Sequence, residues 1–202
     1  MSNLTPSCGV FITRAQPLHF GHILVIKQML LENDKVIVFI GSANKSGTER
    51  NPLDINVRMR MIKILTDSYI ISLDDLKRIK FIPLDDLSSD VDIPYESAYG
   101  SDNSNFELVN KRWGYYLYYV ARHYLGSDTF NFYYNDSSDV VDSWFDTDLR
   151  NKVCIKSIER VGNFSSTKVR KAFLDNDIDY LLSALPYLNE DEIMLFRKEF
   201  LI

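Results

Sequence analysis

Apolar positions along the chain fall into short continuous runs that alternate with stretches of helical spacing. "CGVFIT" (8–13) reads as a fully apolar strand, and "HILVIKQMLLEN" (22–33) carries its apolar residues at helical spacing. "KVIVFIGSA" (35–43) is a β-branched strand that ends in Gly-Ser-Ala. A polar loop, "NKSGTERNP", leads into "INVRMRMIKILTD", where helical periodicity returns. "IKFIPL" (79–84), "TFNFYYN" (129–135) and "KVCIKSIE" (152–159) have the length and composition of buried strands. "FELVNKRWGYYLYYVARHYL" (106–125) predicts a helix with Trp113, Tyr116 and Val120 on one stripe. The tail from Ser166 predicts two or three short helices, interrupted at Leu185–Pro186.

Strands that are apolar throughout are buried on both faces, and strands alternating with helices form parallel sheets. The expected fold class is α/β: a Rossmann-like parallel sheet with helices on both faces, plus a small helical C-terminal part over 166–202. No repeat or linker divides the chain, so residues 1–202 are expected to make a single domain. One segment breaks the alternation. Residues 85–105, "DDLSSDVDIPYESAYGSDNSN", are acidic and rich in serine and turn formers, and predict a loop insertion. Its length suits a lid or binding loop better than a plain connector.

Composition narrows the partners. With 202 residues, 46% hydrophobic and 25% charged, the chain has the make-up of an ordinary soluble domain. A net charge of −5 argues against duplex nucleic acid or an anionic membrane as partner, although a few local arginines suffice to hold a small anion. No apolar run has the length of a membrane span. The start, "MSNLTPSCGV", lacks the charged and apolar segments of a secretory signal, so a cytoplasmic location is expected. In that compartment Cys8 and Cys154, each in a predicted strand, are expected to be buried free thiols.

Four motifs bear on chemistry. In "TRAQPLHFGH" (13–22), Pro17 stops the strand and Gly21 lets backbone approach a ligand before the helix begins. His19 and His22, two of only three histidines, stand three apart and can face one side. Both would then address the helix N-terminus, where backbone N–H groups favour an anion. "VFIGSA" ends the second strand with Gly41 and Ser42, small enough to admit a flat or charged ligand. "NFSSTKVRKAF" starts a helix at Ser165, Ser166 and Thr167, with Arg170 one turn in; hydroxyls, N–H groups and a guanidinium there suit a phosphate. "TERNP" places Arg50 before Asn51-Pro52. Taken singly, the first motif fits a capped turn equally well, and the other three fit structural roles better: an ordinary turn, an N-cap with a solvated arginine, and a solvated loop arginine. A zinc site lacks further ligands near the histidines. The glycine-rich dinucleotide fingerprint and the lysine-bearing phosphate loop are both absent.

In their order along the chain these motifs resemble the nucleotidyltransferase superfamily with an HxGH-type signature. Within it, the chain is most similar to the nicotinamide-mononucleotide adenylyltransferases of archaeal type, including the domain some bacteria fuse to a Nudix hydrolase. The pattern GRxQPxHxGH of that branch resembles Thr13 to His22, its GSA resembles Gly41-Ser42-Ala43, and its N/D-P-F loop resembles Asn51-Pro52-Leu53. Its ERxxMI resembles Arg58 to Ile62, its NxxW resembles Asn110 to Trp113, and its S-G/A/S-T-x-I/V-R resembles Ser165 to Arg170. Two departures stand out: Thr13 occupies the motif's glycine position, and the 85–105 insertion is longer than in compact members. No Nudix stretch is present, so no pyrophosphohydrolase activity is expected.

The resemblance implies transfer of AMP from ATP to nicotinamide mononucleotide, giving NAD and pyrophosphate. Both reactants are anionic, so such a protein neutralises charge and aligns them in line, with no covalent intermediate. The implied catalytic residues are His19, His22, Arg14 and Arg50. Gly21, Gly41, Ser42, Ser166, Thr167 and Arg170 would bind ATP, and Gln16, Asn110 and Trp113 the acceptor. Trp113 fits a core aromatic as well as a ring-stacking one. No protein-held metal is implied; Mg2+ would enter with ATP, carried by the phosphates. The partners implied are ATP and the mononucleotide, and a homo-oligomer is compatible with the resemblance. Alternatives are another acceptor (nicotinate mononucleotide, pantetheine phosphate or flavin mononucleotide), or a non-catalytic nucleotide-binding sensor.

Overall fold

The computed structural model describes residues 7–87, 103–134, 140–159 and 162–200, with the side chains of 103–108 and 140 outside that description. Most of the expected 85–105 insertion, residues 88–102, lies outside the described residues. Five strands form one sheet: β1 (Cys8–Thr13), β2 (Lys35–Ile40), β3 (Ile79–Pro83), β4 (Phe130–Tyr134) and β5 (Val153–Ser157). Their order is β3-β2-β1-β4-β5 and every pairing is parallel. The expected Rossmann-like sheet is therefore present. The helices are α1 (Phe20–Glu32), α2 (Ile55–Asp67), α3 (Leu73–Leu76), α4 (Asn103–Leu125), α5 (Val140–Trp144), α6 (Thr147–Arg150), α7 (Ser166–Asp175), α8 (Ile178–Ala184) and α9 (Glu190–Arg197). A single 3-10 turn, Lys198–Phe200, follows.

Strand alternation divides the core in two. Val36, Val38 and Ile40 of β2 point to one face with Phe11 and Tyr133, and there meet Ile23, Ile26 and Met29 of α1, Met61 and Leu65 of α2, and Phe173 of α7. Ile37 and Phe39 point the other way, with Val10 and Phe132, onto Leu117 and Ala121 of α4 and Phe145. The continuous apolar runs of β1 and β2 follow from this double burial. On α4 the buried stripe is Gly114, Leu117, Tyr118, Ala121 and Leu125, while Trp113, Tyr116 and Val120 are half-buried at its margin. The displacement has a cause at Gly114, where a Cβ would lie 1.6 Å from the carbonyl oxygen of Trp144. The helix approaches its neighbour's backbone on a glycine.

Neither cysteine is in a disulfide; Cys8 is buried as expected, but Cys154 is exposed. It sits on the edge strand β5, where Val153 faces the core and its neighbour faces outward. No helix among the described residues is long and apolar enough to cross a membrane.

At the foot of the sheet a polar cluster ties α1 to β4 and β5. The Glu32 carboxylate accepts from Lys156 Nζ at 2.6 Å, from Gln28 at 2.7 Å and from the Tyr133 hydroxyl at 2.9 Å. These bonds, that from Lys156 foremost, hold the Glu32 carboxyl down at about 2. A carboxylate depressed on folding stabilises the native state above its unfolded pKa, and the contribution fades as pH falls through the folded value. Glu32→Gln is therefore expected to melt a few degrees below the parent near neutral pH. The gap should close between the ordinary glutamate range and about pH 2, as read from melting curves across that window.

Candidate functional site

In open parallel sheets ligands bind outside the carboxyl ends of the strands, where the strand order reverses. Here β1 lies between β2 and β4, so the loop after β1 stands at that point. The loop is shaped from within. Ala15 is held at φ 47, a left-handed conformation unusual outside glycine, and its N–H donates to Thr13 Oγ1 at 3.2 Å. Gln16 is fully buried, and its amide makes a two-point bridge to Leu53, donating to the carbonyl at 3.1 Å and accepting from the N–H at 2.9 Å. That bridge pins the 41–54 loop, and with it Arg50, to the β1 loop. Tyr187, on the turn between α8 and α9, donates to the Leu18 carbonyl from the other side.

His19 is the N-cap residue of α1 and His22 lies in its first turn. The two rings stack with centroids 3.8 Å apart and an interplanar angle of 29°. His22 Nδ1 accepts the backbone N–H of His19 at 3.1 Å, and Nε2 lies 2.9 Å from Thr13 Oγ1. Both rings are buried, at 5% and 7% exposure, yet border a cavity of about 460 Å³. Gly21 sits close under this pair: a Cβ there would lie 3.1 Å from the His19 ring, a contact that would press the ring aside by a few tenths of an ångström.

The opposite wall comes from α7. Ser165 caps it, accepting the Lys168 N–H at 3.2 Å, so the helix begins at Ser166 and Thr167 with its amide end toward the cavity. Arg170 reaches back to the Gln16 carbonyl at 3.4 Å and to Thr167 Oγ1 at 3.3 Å, joining positions 154 residues apart. Burial pushes the Arg170 guanidinium's pKa down; Glu49 opposes that shift and Arg50 adds to it. It stays charged at any physiological pH. Arg14 and Arg50 line the same cavity, and Val25 and Phe164 supply apolar wall. Among the described residues no carboxylate lines the cavity, and no cluster of three or more His, Cys, Asp or Glu is able to bind a metal. A chain of net charge −5 thus gathers three arginines, two histidines and a helix N-terminus around one cavity. Such a lining accepts anionic oxygens.

Of the residues singled out from sequence, Arg14, Gln16, His19, Gly21, His22, Arg50, Ser166, Thr167 and Arg170 line this cavity. Gly41, Ser42, Asn110 and Trp113 do not. Ser42, at φ 49, donates to Asp86 Oδ1 at 3.1 Å, and Lys45 pairs with the same carboxylate at 2.8 Å. Asn110 donates to Ser143 Oγ at 2.9 Å, and Trp113 packs edge-on against Trp144 with centroids 6.1 Å apart. The amide of Gln16 serves the loop.

Arg58 is a positioning residue that sequence reasoning did not place. It is 1% exposed, and its guanidinium donates to the carbonyls of Arg14 (2.9 Å), Gly41 (2.8 Å) and Ser42 (3.0 Å). One fork thereby joins the ends of β1 and β2. The available signal was an arginine on the helical face it shares with Met61, Ile62 and Leu65. Phe164 was also missed, since a lone aromatic before an N-cap carries no periodicity.

Comparison with known proteins agrees with this architecture. The cytidylyltransferase-like family matches residues 10–172. A nicotinamide-nucleotide adenylyltransferase of Saccharolobus solfataricus is 37% identical over 108 residues, covering 52% of this chain and 59% of that protein. The chain spans about half the length of the curated relatives it matches. Among solved structures, a bifunctional NMN adenylyltransferase/ADP ribose pyrophosphatase from Francisella tularensis superposes with a TM-score of 0.68 at 20% identity, covering 97% of this chain and 52% of that one. The same Francisella enzyme complexed with AMP and a manganese ion gives 0.60 at 22% identity, covering 84% of this chain and 42% of that one. At these identities the structural likeness concerns the fold.

Proposed function

The chain belongs to the cytidylyltransferase-like family, and from that premise we propose that it transfers AMP from ATP to nicotinamide mononucleotide, releasing pyrophosphate and forming NAD. The observation that carries the reading is the cavity where His19, His22, Arg14 and Arg50 face the N-terminus of α7 and its Arg170, with no carboxylate among the described lining residues. The curated relatives of that name support the choice of acceptor.

In this reading the triphosphate lies between the α1 and α7 helix starts. Ser166, Thr167 and Arg170 grip its outer phosphates, and Phe164 with Val25 receives apolar parts of the nucleotide. Arg14 and Arg50 neutralise the two anionic reactants as they approach. His19 and His22 stabilise the charge that grows at the α-phosphate when the acceptor's phosphate oxygen attacks it in line and pyrophosphate departs. No nucleophilic side chain is required. A divalent cation arrives as part of the substrate, borne by the phosphates of ATP, which fits a lining of cations and hydroxyls. Asn110 and Trp113, held on α4 against α5, would meet the acceptor's ring from outside this cavity.

The test is an acceptor panel: nicotinamide mononucleotide, nicotinate mononucleotide, pantetheine phosphate and flavin mononucleotide, each with ATP and with CTP. NAD formation from the first with ATP is expected to dominate. Preferred use of another acceptor would reassign the substrate and leave the reaction class standing. Arg170→Ala is expected to raise KM for ATP roughly 10- to 100-fold, the value of a charged hydrogen bond, with a smaller change in kcat. An unchanged ATP dependence would remove Arg170 from the phosphate site.

A further inference from the structure

Thr13 stands where the resembling motif carries glycine, and its hydroxyl lies 2.9 Å from His22 Nε2. A neutral imidazole has one N–H. His22 Nδ1 faces the backbone N–H of His19 at 3.1 Å and must present its lone pair, so the ring hydrogen sits on Nε2. That hydrogen is directed at Thr13 Oγ1, 2.9 Å away. The same oxygen accepts the Ala15 N–H at 3.2 Å, which fixes the hydroxyl against the left-handed turn at Ala15. Thr13 thus holds one edge of the His22 ring and the His19 backbone holds the other, while the His19 ring lies against its face at 3.8 Å. Glycine at this position would lack the hydroxyl that meets this edge.

We propose that Thr13 is a positioning residue for the stacked histidine pair: its hydroxyl fixes the plane of the His22 ring with the hydrogen on Nε2, and through the stack sets His19 against the cavity. The inference rests on the transfer reading above for its kinetic consequences and on geometry alone for its spectroscopic one. Valine has the shape of threonine without the hydroxyl, so Thr13→Val leaves Nε2–H facing a methyl group in a buried setting. The ring then turns, and the stack turns with it.

Thr13→Val is expected to lower kcat about 10-fold, the order of one lost hydrogen bond at the transition state, with KM for ATP changed less than about 2-fold. Thr13→Ser is expected to behave as the parent. In a double-mutant cycle, Thr13→Val should cost nothing further once His22→Ala is present, because the hydroxyl acts only through that ring. Long-range proton–nitrogen NMR on the ligand-free chain should show His22 as a single Nε2–H tautomer, slow to exchange in the parent and Thr13→Ser and fast in Thr13→Val. A parent His22 protonated at Nδ1, a Thr13→Val variant with parental kcat, or effects that multiply in the double variant would overturn the proposal. The ring signature needs no turnover. A chain that shows it yet makes no NAD defeats the transfer reading and leaves this one standing.

Discussion

Replacing His22 by alanine is expected to lower kcat roughly 100- to 1000-fold, the cost typical of removing one preorganised donor from developing charge. The ring is fixed before substrate arrives: Nδ1 by the His19 N–H, Nε2 by Thr13, one face by the His19 ring. The ring itself stays in place during the reaction, and only its Nε2–H, held by Thr13 Oγ1 in the ligand-free chain, is taken over or shared by the α-phosphate oxygen as charge grows there. Alanine also removes the surface on which His19 stacks, so the variant impairs both histidines. The fold should survive, because Ile23, Ile26 and Met29 anchor α1 in the core independently of the ring. Melting within a few degrees of the parent together with the drop in kcat would agree with this account. Near-parental turnover would exclude charge stabilisation by His22.

The second large effect is expected at a residue that touches no part of the cavity. Arg58→Met keeps much of the side chain's volume but takes the guanidinium away from the carbonyls of Arg14, Gly41 and Ser42, the last of which keeps the Lys45 N–H at 3.1 Å. A buried group stripped of its partner costs about 1–3 kcal/mol. For the Arg14 and Gly41 carbonyls, with partial relief by water, a loss of about 2–4 kcal/mol follows, or a fall in Tm of the order of 10 °C for a chain of this size. Arg58→Lys should rescue little, since one ammonium cannot reproduce a planar fork spanning two strand ends. Activity should fall with stability, because the clamp sets the backbone from which Arg14 projects. A melting curve within 2–3 °C of the parent, roughly 1 kcal/mol on the same scale, would show that the clamp carries little weight.

Strands and the N-terminal loop were legible because their determinants are local. β1 spans the run "CGVFIT" and α2 spans "INVRMRMIKILTD", residue for residue, since apolar runs and periodicity report burial directly. The gathering of His19, His22 and Arg14 with Arg170 was legible only through motif order; no local rule joins residues so far apart. Arg58 matched the ERxxMI pattern but carried no role there, because the carbonyls it serves come together only once the strand ends are placed in space. The stripe on α4 was displaced because Gly114, its point of closest approach, carries no apolar signal. Cys154 was expected inside because its strand reads as apolar, but an edge position turns it outward. The departure at Thr13 was visible in the sequence. Its bond to His22 depends on the backbone course between them, which no residue pattern encodes.

The most direct test of the central claim is simultaneous measurement of NAD and pyrophosphate from the purified chain with magnesium, ATP and nicotinamide mononucleotide. The account predicts that both products appear in equal amounts, and that neither forms when the mononucleotide is omitted. A chain that binds ATP in its cationic cavity but releases no pyrophosphate with this or any related acceptor would contradict it, and would mark the cavity as a sensor's binding site.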